Sequence, residues 1–373
     1  MNPLKKLQDF GQSVYMDEIR RSMLSDGYLQ TLIERDGLRG VTSNPAIFEK
    51  AIAGSEDYDE AIAELAKAGK SVEQVYEDLV ISDIQGAADL FRPLYDEHDG
   101  KYGYVSLEVA PNLAGDTEGT LKEARHLWQR LNRPNVFIKV PGTAAGLPAI
   151  TQLISEGVNV NVTLLFGLER YRAVAEAYIA GLEKRAEAGE SLERVASVAS
   201  FFLSRIDVMV DPLLDEIASG GGEHAERAKE LKGKVAIASA KGAYSIYKEV
   251  FSSERFEKLA AKGARTQRVL WASTGTKNPE YSDILYVESL IGPDTINTMP
   301  TSTLDAYRDH GEPAARLEDD MNAYAQMLED LKPMGVDLDD VTQRLEDEGV
   351  EKFTKPFNSL MDTLKEAVAK TPA

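Results

Sequence analysis

The run Asn135-Val136-Phe137-Ile138-Lys139-Val140-Pro141-Gly142-Thr143 sets one lysine among apolar neighbours and stops at Pro-Gly. A short apolar run ended by turn residues reads as a buried strand, with Lys139 at or near its carboxyl end. Burial strips hydration from an ammonium and favours the neutral amine, a nucleophile suited to forming a Schiff base with a carbonyl. For an isolated lysine the alternative is a side chain snorkelling to solvent or paired with a carboxylate. The rest of the chain has to decide between these.

Outward from this strand, short strands alternate with helices in both directions. Towards the N-terminus, strands are expected over 12–17, 38–45 and 102–109, with a helical apolar pattern at Leu4 to Phe10 packing outside the main body. Between the second and third strands, residues 46–98 hold three helical stretches, the last two near Val72–Ile84 and Gly86–Tyr95. That exceeds what one crossover needs and reads as a helical insertion. Thr117–Leu131 forms an amphipathic helix before the Lys139 strand. Towards the C-terminus follow a helix over Thr143–Ser155, a strand over 158–166, a helix over Leu168–Ala188 and a strand over 195–202. A glycine-rich loop at 219–222 precedes a long helix through Phe251, and strands fall at 268–273 and 294–300. Residues 313–373 read as a C-terminal helical extension. Eight strands separated by helices indicate a parallel sheet, and eight is the number that closes into a (β/α)8 barrel. An open doubly wound sheet would carry a phosphate-binding glycine turn after its first strand, and this chain has none. No Pro-, Gly- or Ser-rich linker divides the sequence, so 1–373 is expected to form one barrel domain.

The chain has 373 residues, no cysteine and a formal net charge of −20. Absence of cysteine removes disulfides, thiolate metal sites and thiol nucleophiles together. The acidic field disfavours nucleic acid and anionic membranes as partners, and an anionic substrate needs a local cationic pocket. His98, His126, His224 and His310 lie far apart without metal-ligand spacing, so no metal is expected. No apolar run approaches the roughly 20 residues that span a bilayer. The start, Met1-Asn2-Pro3-Leu4-Lys5-Lys6, lacks the apolar core of a signal peptide, and a cytoplasmic setting is expected.

Alternation along the strands selects the functional face. In 158–164, Val158, Val160, Val162 and Leu164 share one side and leave Asn159, Asn161 and Thr163 on the other. Val105, Leu107 and Val109 likewise oppose Tyr104, Ser106 and Glu108, while Val14 and Met16 oppose Ser13, Tyr15 and Asp17. In a barrel the apolar series packs on the outer helices and the polar series points inward. Each polar series ends at the carboxyl end of its strand, where barrel active sites lie. Asp17, Asn44, Glu108, Lys139, Asn161, Thr163 and Ser200 are therefore expected to meet around one mouth. Other duties compete for some of them: Asn44 and Asp17 could cap following helices, and Asn161 with Thr163 could form a buried hydrogen-bonded layer.

At these residues the chain resembles the transaldolase family, the Schiff-base enzymes of the pentose phosphate pathway. The likeness runs from about Ser13 to Pro300. It rests on Val41-Thr42-Ser43-Asn44-Pro45, Ser106-Leu107-Glu108-Val109, Phe137 to Thr143, Asn161 to Phe166, and Ser200 to Arg205. The resemblance implies that Lys139 attacks the C2 carbonyl of a ketose phosphate and that Asp17 removes the C4 hydroxyl proton. It implies that Glu108 and Thr163, with a water, handle proton transfers, and that no cofactor takes part. Asn44, Asn161 and Ser200 fall at the groups that bind the dihydroxyacetone unit. Arg205 and Ser273 fall at the phosphate-binding positions. Many members have an arginine two residues after the serine, where this chain has Gly275, and Lys277 is expected to supply the charge instead. The nearest competing reading is a fructose 6-phosphate aldolase of the same superfamily. Glu108, an acid where that group resembles glutamine, and Phe202, which lacks that group's tyrosine hydroxyl, argue against it. A non-catalytic sugar-phosphate binder gains nothing from a desolvated lysine beside two carboxylates. The expected partners are small sugar phosphates, with the chain a monomer or homodimer.

Overall fold

The computed structural model describes residues 2–370; Met1 and the last three positions of the expected extension over 313–373 lie outside the described residues. Eight strands form the centre: β1 (Gln12–Met16), β2 (Gly40–Val41), β3 (Tyr104–Glu108), β4 (Val136–Pro141), β5 (Val160–Leu165), β6 (Ser197–Phe202), β7 (Arg268–Ala272) and β8 (Thr295–Met299). They close in sequence order into a barrel, every pair parallel, with β8 returning to β1. Parallel pairing obliges each strand to return through a crossover, and the crossover helices bury the outer face.

The alternation separates two cores. Val14, Met16, Val105, Leu107, Ile138, Val140, Val160 and Val162 join the helix side chains in one buried cluster. Tyr15, Tyr104, Phe137, Val198, Leu270 and Ile296 form a second cluster inside the barrel. The Tyr104 and Phe137 rings stack there with centroids 4.2 Å apart. The middle of the interior is thus aromatic and aliphatic, with polar groups above it at the carboxyl ends of the strands and below it at the amino ends, where Arg268 Nη1 donates to Ser13 Oγ at 3.4 Å. Val198, Leu270 and Ile296 fill the space between strands at a depth where an uncompensated polar group would be costly.

Four local expectations are corrected. The second strand is only Gly40–Val41, because Asn44 turns the chain at once into the helix Pro45–Ala53. The expected breaks around Gly86 do not occur: Val72–Glu97 is one continuous helix, started by a Ser71–Gln74 capping box. A Cβ at Gly86 would come within 3.1 Å of Leu24, so this glycine permits close packing instead of ending the helix. The long helix expected before Phe251 is divided into Ala225–Leu231 and Val235–Phe251, with Gly233 between them at φ 68°. The helix expected from Thr143 begins at Gly146, after a turn in which the Thr143 hydroxyl and carbonyl both accept from Gly146 N.

The extension forms two helices, Met321–Leu331 and Leu338–Lys370. The second buries Val341, Leu345, Leu360 and Leu364. It packs on Pro45–Ala53, Val72–Glu97 and the end of β5, so it lies across the carboxyl-end face of the barrel. Among the described residues no helix is long and apolar enough to cross a membrane.

Candidate active site

Lys139 stands on β4 with Glu108 as its register partner on β3 and Asn161 as its partner on β5. Adjacent strands therefore bring three inward-facing polar side chains to one level. The Lys139 Nζ donates to the Ser43 carbonyl at 2.9 Å and lies 2.9 Å from Glu108 Oε2. Lys139 is 4% exposed and Glu108 6%. Ion pairs so deeply buried are held by geometry, and removing one partner typically costs about 3–5 kcal/mol. Among the described residues Glu108 Oε1 has no hydrogen-bond partner, and neither does the buried Thr163 hydroxyl. Burial pushes the Glu108 carboxyl up against the pull of Lys139, with Asp17 adding repulsion.

Asp17 follows directly on β1. Its amide is fixed to Met299 O at 2.8 Å, and its Oδ1 accepts from Thr42 Oγ1 at 2.6 Å. Thr42 Oγ1 is also 2.6 Å from Thr298 Oγ1, so β2, β8 and Asp17 are tied together. Burial raises the Asp17 carboxyl, opposed by Lys139, the Thr42 hydrogen bond and Lys277. Two carboxyls held above their ordinary range beside one lysine are suited to acid–base work at a carbonyl.

On the other side of Lys139, Asn161 Nδ2 donates to Ser106 Oγ at 3.1 Å and its Oδ1 accepts from Ser200 Oγ at 2.7 Å. All three are buried, and the chain of bonds fixes the amide orientation across β3, β5 and β6. The hydrogen-bonded layer expected of Asn161 with Thr163 forms around Asn161 with Ser106 and Ser200 instead, the Thr163 hydroxyl having no partner among the described residues; Thr163 and Ser200 line the cavity. Asn44 accepts from Ile47 N at 3.0 Å as the helix N-cap while facing the cavity.

The cavity offers about 170 Å³, an order of magnitude beyond the room one water needs. Its lining includes Asp17, Asn44, Lys139, Thr163, Ser200, Phe202, Arg205, Ser273 and Lys277. Glu108, at the level of Lys139, lies against its amine outside the lining. Nine of the eleven residues selected from sequence thus line the cavity, and Glu108 and Asn161 contact the lining residues Lys139 and Ser200. Arg205 and Lys277 have no carboxylate within ion-pair distance and no hydrogen bond among the described residues. Burial lowers the Lys277 pKa, and the Arg205 charge lowers it further. Two cations facing each other, both unpaired among the described residues, in a protein of net charge −20 have the chemistry to receive an anion. A Cβ at Gly275 would lie 3.8 Å from Lys277 Nζ, so the lysine reaches back over this glycine.

Two non-glycine residues of the rim adopt left-handed backbone, Leu164 at φ 59° and Ser273 at φ 54°. Such conformations cost about 1–3 kcal/mol each and persist where the surroundings impose them. At Ser273 the bend brings its carbonyl to Ser204 N at 3.1 Å and its hydroxyl to Ser204 Oγ at 2.9 Å. At Leu164 it breaks the β5–β6 register between Val162 and Leu165.

Sequence reasoning missed several lining residues. Thr42 and Thr298 alternate in phase with Asn44 and with the end of β8, and parity could have found them. Phe166 continues β5 and its ring lies 5.2 Å from Phe202. Leu345, Gly349, Lys352 and Phe353, from the C-terminal helix, roof the cavity. An amphipathic pattern shows that this helix packs but not on what, so no signal named them. A Cβ at Gly349 would come within 2.9 Å of Leu164 Cδ2, so the glycine lets the helix settle on the rim.

Comparison with known proteins identifies the family of the chain. Residues 14–364 match the family model described as transaldolase/fructose-6-phosphate aldolase. A protein named transaldolase from Trichodesmium erythraeum is 50% identical over 373 residues, spanning 99% of this chain and 98% of its own length. One of the same name from Thermobifida fusca is 49% identical, with 99% of both chains covered. Transaldolase 2 of Nostoc punctiforme is 48% identical over 98% of each chain. This chain belongs to the transaldolase/fructose-6-phosphate aldolase family.

Proposed function

We propose that the chain is a transaldolase. It moves a dihydroxyacetone unit from a ketose phosphate (sedoheptulose 7-phosphate or fructose 6-phosphate) to an aldose phosphate (glyceraldehyde 3-phosphate or erythrose 4-phosphate). The observation that carries this reading is the Lys139 amine, 2.9 Å from buried Glu108, beneath a cavity whose mouth holds two unpaired cations.

In the reaction, Lys139 Nζ gives a proton to Glu108 and attacks the C2 carbonyl, forming a carbinolamine. Glu108, through a water held by the free Thr163 hydroxyl, returns protons so that water leaves and an iminium remains. Asp17 takes the proton of the C4 hydroxyl, the C3–C4 bond breaks, and its electron pair flows into the iminium to give an enamine. The aldose phosphate formed from C4 onward departs. The enamine carbon then attacks the carbonyl of the acceptor aldose, Asp17 returns its proton, and hydrolysis frees Lys139. Asn44, Asn161 and Ser200 hold the hydroxyls of the three-carbon unit, and Phe202 closes the side of the cavity. Arg205, Ser273 and Lys277 take the phosphate. No step calls for a cofactor. Sugar phosphates are membrane-impermeant anions, which supports a cytoplasmic setting for the reaction.

The test is a transfer assay with fructose 6-phosphate and erythrose 4-phosphate. Appearance of the seven-carbon ketose with glyceraldehyde 3-phosphate supports the transferase. Release of free dihydroxyacetone without a seven-carbon product would assign an aldolase instead.

A further inference from the structure

We propose that Tyr281 and Tyr286 are positioning residues for the phosphate subsite: the buried carboxylates of Asp211 and Asp207 grip their hydroxyls and clamp the Lys277 loop onto the Arg205 helix. The proposal rests on the phosphate reading given above.

The difficulty the clamp solves is electrostatic. Arg205 lies at the start of the helix Ser204–Gly220, and Lys277 lies on the loop that leaves β7. Both are unpaired among the described residues, and each disfavours the other. Until an anion arrives, a loop carrying one cation towards another would relax away unless something tied it down.

Asp207 and Asp211 sit one turn apart on the Arg205 helix, hence on one face. Asp207 Oδ2 accepts from Tyr286 Oη at 2.6 Å, and Asp211 Oδ2 accepts from Tyr281 Oη at 2.7 Å. Their other oxygens accept from backbone at the start of the helix Val235–Phe251: Asp207 Oδ1 from Ala236 N at 2.8 Å and Asp211 Oδ1 from Gly233 N at 3.0 Å. Each carboxylate therefore joins three segments. The Tyr281 ring lies so close to Gly233 that a Cβ there would meet it at 2.8 Å. Between the two tyrosines and Lys277 the loop is folded on itself by Thr276 Oγ1 to Ser282 O at 2.7 Å and Tyr281 N to Asn278 O at 3.1 Å.

Neither carboxylate has a cation within ion-pair distance among the described residues, although Asp207 is 2% exposed and Asp211 8%. Burial pushes Asp207 up to about 7, so keeping it there is costly. Apolar packing would stabilise the helix contact at lower cost. What the two acids supply is directional: they fix hydroxyl positions, and through them the path of the loop.

The experiment compares wild type with Tyr281→Phe, Tyr286→Phe and Asp211→Asn, each also in a Lys277→Ala background. Inorganic phosphate binding is measured by calorimetry, KM and kcat are measured for fructose 6-phosphate, and the Lys139 imine formed with unphosphorylated dihydroxyacetone is trapped by borohydride. The phosphate dissociation constant and KM are expected to rise about 3- to 10-fold per variant, the equivalent of one hydrogen bond. kcat and dihydroxyacetone trapping are expected to hold, and the phosphate effect to vanish where Lys277 is already alanine. Unchanged phosphate binding, an equal loss of trapping, or full additivity with Lys277→Ala would overturn the clamp. A wild type that binds phosphate but gives no Lys139 adduct sinks the catalytic reading and leaves the clamp standing on the calorimetry.

Discussion

Replacing Lys277 by alanine is predicted to lower kcat/KM for fructose 6-phosphate about 10- to 150-fold, the weight of one charged hydrogen bond of about 1.5–3 kcal/mol. The structure makes the effect separable from folding. Lys277 bonds to no other group among the described residues, so its removal strands no partner. The compensating change is also visible. A Cβ at Gly275 would lie 3.3 Å from Pro300 Cγ, 3.4 Å from Thr303 Oγ1 and 3.8 Å from Lys277 Nζ. A side chain fits there tightly and contends with Lys277 for the same space. Gly275→Arg alone therefore crowds the lysine and adds a third cation beside Arg205, and it is not expected to improve the enzyme. With Lys277→Ala present, the arginine gains that space and can meet the phosphate bidentately, recovering most of the loss. The assay is steady-state transfer from fructose 6-phosphate to erythrose 4-phosphate for the four members of this cycle. A Lys277→Ala enzyme within about twofold of wild type, or no coupling between the two positions, would refute the reasoning.

Four further outcomes follow from the site and its frame. Asn161→Ala strips partners from the buried Ser106 and Ser200 hydroxyls; a urea titration should show a loss of about 1–3 kcal/mol for each group left unsatisfied, and an unchanged midpoint would contradict the network. Asp17→Asn should lower kcat about 10²- to 10⁴-fold while the Lys139 imine with dihydroxyacetone still forms, because the base is needed for cleavage and not for attack. The wild-type kcat should fall on the acid side at a pH above the ordinary carboxylate range, since burial raises Asp17 despite Lys139 and Thr42. At Asp36, burial raises the carboxyl, but hydrogen bonds from Arg35, Arg308 and Asn2 outweigh it and hold it at about 2 instead of 3.8. A depressed carboxylate contributes stability above its unfolded pKa and loses it as pH falls. The stability gap between wild type and Asp36→Asn should therefore be full above pH 4 and close towards pH 2, and a constant gap would contradict the assignment.

The barrel and its mouth were legible because period-2 alternation is a strong constraint once strands must close on themselves. Asp17, Glu108, Lys139, Asn161 and Thr163 were chosen by parity at strand ends, and all of them converge. Parity is blind to depth. It grouped Tyr15 and Tyr104 with the functional polar series, yet they belong to the aromatic floor. Glycine was misread in both directions. Gly86 continues a helix because a neighbouring side chain needs its missing Cβ, whereas Gly233 ends one because its φ is positive. The roof over the cavity was not legible at all, since nothing in the pattern of 338–370 encodes its contact with Leu164. The fit depends on a glycine in one helix meeting a strained residue a long way off in sequence.

Covalent capture at Lys139 tests the central claim most directly. The protein is incubated with fructose 6-phosphate, reduced with borohydride, digested and mapped by mass. The account predicts a dihydroxyacetone-derived adduct on Lys139, absent from Lys139→Ala. Folded protein that binds the sugar phosphate yet leaves Lys139 unmodified would contradict it.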